Sequence, residues 1–149
     1  MKTATQWLSE YGESHQNPTN KRVHWICVPL IFLSVTGLLY SIKIPVVHNM
    51  AVIVLILAMI YYFRLSLSLG IGMLVFSCIC LGICFWVQRH VPYPLWLLSL
   101  IVFVLAWIGQ FYGHRVEGKK PSFFKDLQFL LIGPMWIMSF IYKKINISF

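Results

Sequence analysis

The run KRVHWICVPLIFLSVTGLLYS, residues 21–41, opens on two bases and a histidine and then carries no charged side chain to its end. An α-helix needs about 20 mostly apolar residues to cross the roughly 30 Å hydrocarbon core of a bilayer. The run therefore predicts a transmembrane helix with His24 one turn inside its mouth and Pro29 as a site of bending. Four more apolar stretches follow it. Met50 to Phe63 is short and gains length if Arg64 snorkels to the interface. Ser66 to Gly70 leaves room only for a tight connection, and Ile71 to Val87 makes a third span, after which Gln88, Arg89 and His90 return to water. Pro92 and Pro94 introduce a fourth span from Leu95 to about Tyr112. A polar segment, Gly113 to Asp126, leads to the last stretch, Leu127 to Tyr142, interrupted by Gly133-Pro134, which either crosses or dips and returns.

Upstream, residues 3–15 put Ala4, Leu8, Tyr11 and His15 on one helical stripe with Trp7 beside it, a short helix lying on the membrane surface. Asn17-Pro18 ends that helix, and Asn20 is placed to cap the next one. The fold class that results is all-α, a polytopic membrane helix bundle. It has four transmembrane helices, a fifth apolar helix that spans or re-enters, and an N-terminal interfacial helix. Residues 1–149 form one integral-membrane domain: an interfacial segment (1–20), a four-span core (21–112), a cytoplasmic site segment (113–126), and the fifth helix with its tail (127–149).

Composition agrees. Of 149 residues 59% are apolar and 11% charged, against about 45–50% and 25% in soluble domains, and the mean hydropathy is +0.77. The polar start, Met1 to Arg22, lacks the apolar core of a cleavable signal, so the first span itself directs insertion. The four cysteines (Cys27, Cys78, Cys80, Cys84) lie inside apolar runs without Cys-x-x-Cys spacing and read as small packing residues. The net charge of +8 sits at span ends, where lipid head groups and topology account for it and nucleic acid does not. With four crossings, Lys2, Lys21, Arg22, Arg64, Arg115, Lys119, Lys120 and Lys125 share one face, and only Lys43 and Arg89 are fixed on the other. The basic face belongs to the cytoplasm by the positive-inside rule. The expected location is a bacterial inner membrane, or the endoplasmic reticulum in a eukaryote.

The same parity sorts the histidines. His15, His24 and His114 fall on the basic face and His48 and His90 on the other. Three imidazoles with a nearby carboxylate suit a first-row metal, and such a set with open positions is the arrangement of non-haem Fe(II) oxygenases; zinc accepts similar ligands. On the fourth span Gln110 and His114 stand at i and i+4, and Glu117 joins their face if the helix continues past Gly113. Glu117 is a metal ligand, a partner orienting His114, or a solvated charge, with the second preferred. Arg22, Arg115, Lys119 and Lys120 ring the mouth, either to receive a carboxylate or simply to satisfy topology. His48 and His90 have no carboxylate on their own side and read as interfacial residues.

The two blocks that carry these residues are Tyr11-x3-His15-x-Asn17-Pro18-x-Asn20-x3-His24-x4-Pro29 and Gln110-Phe111-x-Gly113-His114-x2-Glu117-x3-Pro121. Together they resemble the signature of a small membrane family, the iron-dependent 2-hydroxy fatty acid dioxygenases. The resemblance implies α-oxidation: Fe(II) and O2 remove the carboxyl carbon of a long-chain 2-hydroxy fatty acid, leaving an acid one carbon shorter. It implies that His15, His24 and His114 hold the iron and that Glu117 matches the family's acidic position. Gln110 and Glu117 are the candidate catalytic side chains, and Tyr11 joins Arg22, Arg115 and Lys119 as a candidate substrate contact. A competing class is a non-enzymatic membrane protein, a small transporter or assembly factor with a structural metal or a proton-relay cluster. A transporter places ionisable groups near mid-membrane, and the later spans carry none there. A di-iron hydroxylase needs about twice as many histidine ligands as this face offers.

Overall fold

Asn17 and Pro18 set the register of the bundle. In the computed structural model, which describes residues 2–45, 47–118 and 129–148, the Asn17 side chain accepts hydrogen bonds from the backbone of Thr19 (2.8 Å) and Asn20 (3.4 Å). Pro18, whose missing N–H costs nothing in a first turn, opens the helix. The expected cap at Asn20 is thereby corrected. Proline pre-sets the first turn and starts the helix earlier, so Asn20 falls inside it and is fully buried.

The chain order is α1 (Ala4–Glu13), α2 (Pro18–Tyr40), a two-residue antiparallel ladder β1 (Lys43–Ile44) and β2 (His48–Asn49), then α3 (Met50–Leu65), α4 (Leu67–His90), α5 (Leu95–Val116) and α6 (Ile132–Lys144). A reciprocal Thr3 and Gln6 capping box starts α1. The connection between α3 and α4 is shorter than the sequence suggests. Ser66 alone joins them, ending one helix and capping the other through Leu69 N (3.3 Å). Helix α4 carries Gln88, Arg89 and His90 in its last turn, and α5 continues past Gly113 to Val116.

Helices α2, α4 and α5 are long and apolar enough to cross a membrane, while α3 is a shorter apolar helix of 16 residues. Their outward side chains are those a hydrocarbon solvent accepts: Ile26, Leu57, Leu67, Leu105 and Ile108 are each more than half exposed. Helix α6, with 13 residues, is about 20 Å long, less than the hydrocarbon core. It lies across one end of the bundle. Gly133 packs on the Tyr11 hydroxyl and Val28, and the Tyr142 hydroxyl donates to Ser68 O (2.7 Å) in the first turn of α4. Just before α6, Leu131 O accepts from the Tyr62 hydroxyl (2.7 Å). Tyr62, Leu69, Met73, Ile132 and Met135 form the buried centre there.

The main pairing is α2 against α5. Gly109 and Gly113, spaced Gly-x-x-x-Gly, remove the side chains that would hold the backbones apart. A Cβ at Gly109 would stand 2.5 Å from Cys27 Sγ, and one at Gly113 would collide with Asn20 Oδ1. The two helices run antiparallel, so the start of α2 meets the end of α5. At the opposite end the ladder is tied to the end of α4, where Lys43 Nζ donates to Gln88 Oε1 (3.4 Å).

Candidate metal centre

Three helix termini converge where α2 begins and α5 ends. His15 follows the cap of α1, His24 lies in the second turn of α2, and His114 in the last turn of α5. Their donor nitrogens all lie within 4.8 Å of one another. Ring centroids are 4.1 Å apart for His15 and His24, 5.1 Å for His24 and His114, and 5.8 Å for His15 and His114. All three side chains are buried. Among the described residues this is the group of three that could hold a metal ion.

Each backbone places its ring by the same device. His15 Nδ1 lies 2.6 Å from Tyr11 O, and His24 Nδ1 lies 3.0 Å from Asn20 O, the carbonyl four residues earlier in both cases. A carbonyl can only accept, so each Nδ1 carries the hydrogen and each Nε2 presents a lone pair, the tautomer a metal requires. His24 Nε2 is buried and has no protein hydrogen bond. Leaving such an acceptor unsatisfied costs about 1–3 kcal/mol, which a bound cation offsets. Two imidazoles at about 2.1 Å from one zinc-sized ion stand at most about 4.2 Å apart. Three donors around one such ion stand on average no more than about 3.6 Å apart, so nitrogens that lie within 4.8 Å of one another close on it by a contraction of up to about 1 Å, and the donor set fits a first-row metal.

The surrounding shell is aromatic on one side and polar on the other. Tyr11 stacks on His15 (4.3 Å, 13° between planes), and Trp136 of α6 lies 5.3 Å from both rings. On the polar side Glu117, directly after α5, reaches the turn between α1 and α2. Its carboxylate accepts from Gln16 N (2.8 Å), from Asn17 N (2.9 and 3.1 Å) and from Asn20 Nδ2 (2.9 Å). Burial acts to raise the Glu117 carboxyl; the hydrogen bonds from Asn20, Asn17 and Gln16 oppose it, and the net shift is downward. Asn20 is the hub. Its amide donates to Glu117 and to Ser14 O (3.3 Å), while its backbone carbonyl holds His24. In the sequence Asn20 reads as a cap and as a member of the first signature block, with no role at the site. The trace it leaves is that a polar amide three residues past an asparagine cap has no capping work left to do.

The other anticipated residues are distributed as follows. Gln110 is buried one turn before His114 and lines a narrow cavity with Tyr11. Arg22 and Arg115 are exposed at the histidine end. Lys119 and Lys120 lie outside the described residues. His48 and His90 stand at the opposite end, with His48 in the left-handed region (φ 64°).

Residues 1–145 match the family described as Mpo1-like: 2-hydroxy-palmitic acid dioxygenase Mpo1-like. The chain is 31% identical over 139 residues to 2-hydroxy-palmitic acid dioxygenase MPO1 of Saccharomyces cerevisiae, covering 91% of this chain and 78% of that protein. No solved structure matches it. With its two terminal blocks meeting at one buried histidine cluster, the chain belongs to the Mpo1-like family.

Proposed function

We propose that the chain is an Fe(II)-dependent dioxygenase that converts a long-chain 2-hydroxy fatty acid to the acid one carbon shorter. It would act as a four-span protein of a bacterial inner membrane, or of the endoplasmic reticulum in a eukaryote, with its metal centre on the cytoplasmic face. The observation that carries this reading is the convergence of His15, His24 and His114 at the polar end of an apolar bundle, in a member of the Mpo1-like family. In the overall reaction the bond between C1 and C2 breaks. One hydroxy acid and one O2 give the shortened acid, carbon dioxide and water, so atoms and electrons balance.

Iron bound by the three histidines would supply the electrons that activate O2. The chain's own residues prepare that site. Tyr11 O and Asn20 O hold the Nδ1 hydrogens of His15 and His24 and so fix the ring faces. Glu117 fastens the turn carrying His15 to the end of α5 carrying His114. Tyr11 and Trp136 wall the cluster and keep water from it. Arg22 and Arg115, joined by Lys119, receive the substrate carboxylate at the mouth, where a guanidinium pairs with it in bidentate fashion. The acyl tail stays in the hydrocarbon between helices.

The test is purification of the full chain, metal analysis, and turnover of 2-hydroxypalmitic acid with Fe(II) and O2. Pentadecanoic acid should form with iron and should not form with Zn(II) or without oxygen. Equal product with zinc or under anaerobiosis overturns the reading.

A further inference from the structure

Helices α3 and α4 meet along a groove of about 620 Å³, walled by Val52, Ile56, Ile60 and Arg64 from one helix and by Leu74 and Cys78 from the other. Ile56, Ile60 and Leu74 are exposed, so the groove opens outward to the hydrocarbon that the rest of this surface meets. Its volume lies within the roughly 300–1,000 Å³ of sites that enclose a small ligand. The wall from Val52 to Arg64 is about 18 Å long at 1.5 Å per residue, close to the roughly 15 Å of hydrocarbon in one leaflet. One acyl chain of the leaflet at the histidine end therefore matches it in length.

Arg64 separates this groove from ordinary lipid-facing surface. It is exposed in the last turn of α3, at the end of the bundle where α6 lies. Neither α3 nor α4 contains an aspartate or glutamate, while Glu10 pairs with Lys2 and Glu117 holds the turn before α2. The two helices thus supply no counter-ion for the guanidinium that stands in their groove. The same end gathers further positive charge. The Tyr142 hydroxyl on Ser68 O (2.7 Å) brings the end of α6, with exposed Lys143 and Lys144, beside the first turn of α4. A guanidinium pairs with a phosphate in bidentate fashion, and bases clustered at a membrane surface draw anionic lipids. We propose that the groove between α3 and α4 binds an anionic phospholipid, with its phosphate on Arg64 and one acyl chain laid along α3 toward Val52. The open side of the groove suits a two-chained lipid, which seats one chain and leaves the other in the bilayer. The site shares no residue with the histidine cluster and stands without the metal or the dioxygenase reading.

The experiment is a competition between lipids. Full-length protein in detergent is titrated with phosphatidylglycerol, with phosphatidylcholine of the same acyl chains, and with palmitic acid, and retained molecules are counted by native mass spectrometry. A phosphatidylglycerol with a photoreactive acyl chain then maps the contact. Wild type should retain one phosphatidylglycerol in preference to phosphatidylcholine, with crosslinks on α3 and α4 between Val52 and Arg64 and between Leu74 and Leu81. Arg64→Gln should lose about tenfold of that preference, as expected for a charge-assisted bond, whereas Arg89→Gln, at the opposite end of α4, should keep it. Ile60→Trp, which fills the groove and leaves Arg64 in place, should lose the crosslinks. Both groove variants alter exposed side chains, and unchanged helix content by circular dichroism separates a lost site from a lost fold. Equal retention of the two phospholipids by wild type, an unchanged preference in Arg64→Gln, or crosslinks spread over the other helices overturns the site. Stronger retention of palmitic acid than of phosphatidylglycerol overturns the phospholipid as its occupant.

Discussion

His90 and His15 are built alike and do different things. Each has its Nδ1 on the carbonyl four residues earlier, Trp86 O at 2.9 Å for His90 and Tyr11 O at 2.6 Å for His15. Each ring stacks on the aromatic side chain of that same residue, at 5.0 Å and 19° in one case and 4.3 Å and 13° in the other. Yet His90 is exposed at the far end of the bundle, and His15 is buried beside two more imidazoles. Local backbone chemistry therefore prepares a histidine at either end. What makes a candidate centre at one end is tertiary: the close approach of α2 and α5 across glycines, and a carboxylate tying the turn before α2 to the end of α5.

The largest effect should come from breaking the convergence itself. His15→Ala, His24→Ala or His114→Ala should each abolish iron retention measured by elemental analysis, whereas His48→Ala and His90→Ala should retain it. Wild-type iron in all three of the first group would remove the distinction between the two ends. Next in size is the glycine contact. Gly113→Val places a side chain against Asn20 and within 3.4 Å of His24 Cε1, and overpacking of that kind costs about 1–3 kcal/mol. Thermal unfolding in detergent should show the loss together with weaker metal binding. Gly82, with nothing within 4 Å of a Cβ, is the control on α4. Gly82→Ala should stabilise by about 0.5–1 kcal/mol, the helix propensity alone.

Glu117→Gln should weaken metal binding by about 10–100-fold, the range for a group that orients ligands. The same variant sharpens a pH comparison. The Glu117 carboxyl is held below its ordinary range, so the stability it lends is complete above that range and is lost as pH falls through its folded value. Wild-type melting temperature should therefore drop on acidification by more than that of Glu117→Gln, and parallel curves would show that the carboxylate contributes nothing there. The smallest effect belongs to the far end: His90→Ala should change stability by no more than about 0.5 kcal/mol.

Much of this was legible from residue order. Counting apolar runs put His15, His24 and His114 on one side, and the structure brings those three rings together. The sequence leaves the end of this helix open at Gly113; α5 runs on to Val116, which meets the condition for the placement of Glu117. The hidden parts share a cause. Helices α3 to α5 are apolar around most of their circumference, so no amphipathic stripe reports which face meets a neighbour. The Gly109 and Gly113 spacing was the available sign of the α2 contact. Asn20 and Glu117 meet across 97 positions, and such a pairing leaves no mark on either neighbourhood. Ser66 as a one-residue joint escaped because glycine and serine nearby suggested a longer turn, while a serine cap needs no loop at all.

The clamp of Glu117 on Gln16 joins residues 101 positions apart, and that distance orders events in time. A chain made from its N-terminus presents His15 and His24 to the membrane long before His114 exists. The cluster can close only once α5 has been inserted and has found α2. Any metal held by the three imidazoles would then be captured late in biogenesis, because an interrupted chain leaves two of them without the third. A metal held by all three histidines would thus report that α5 had joined α2.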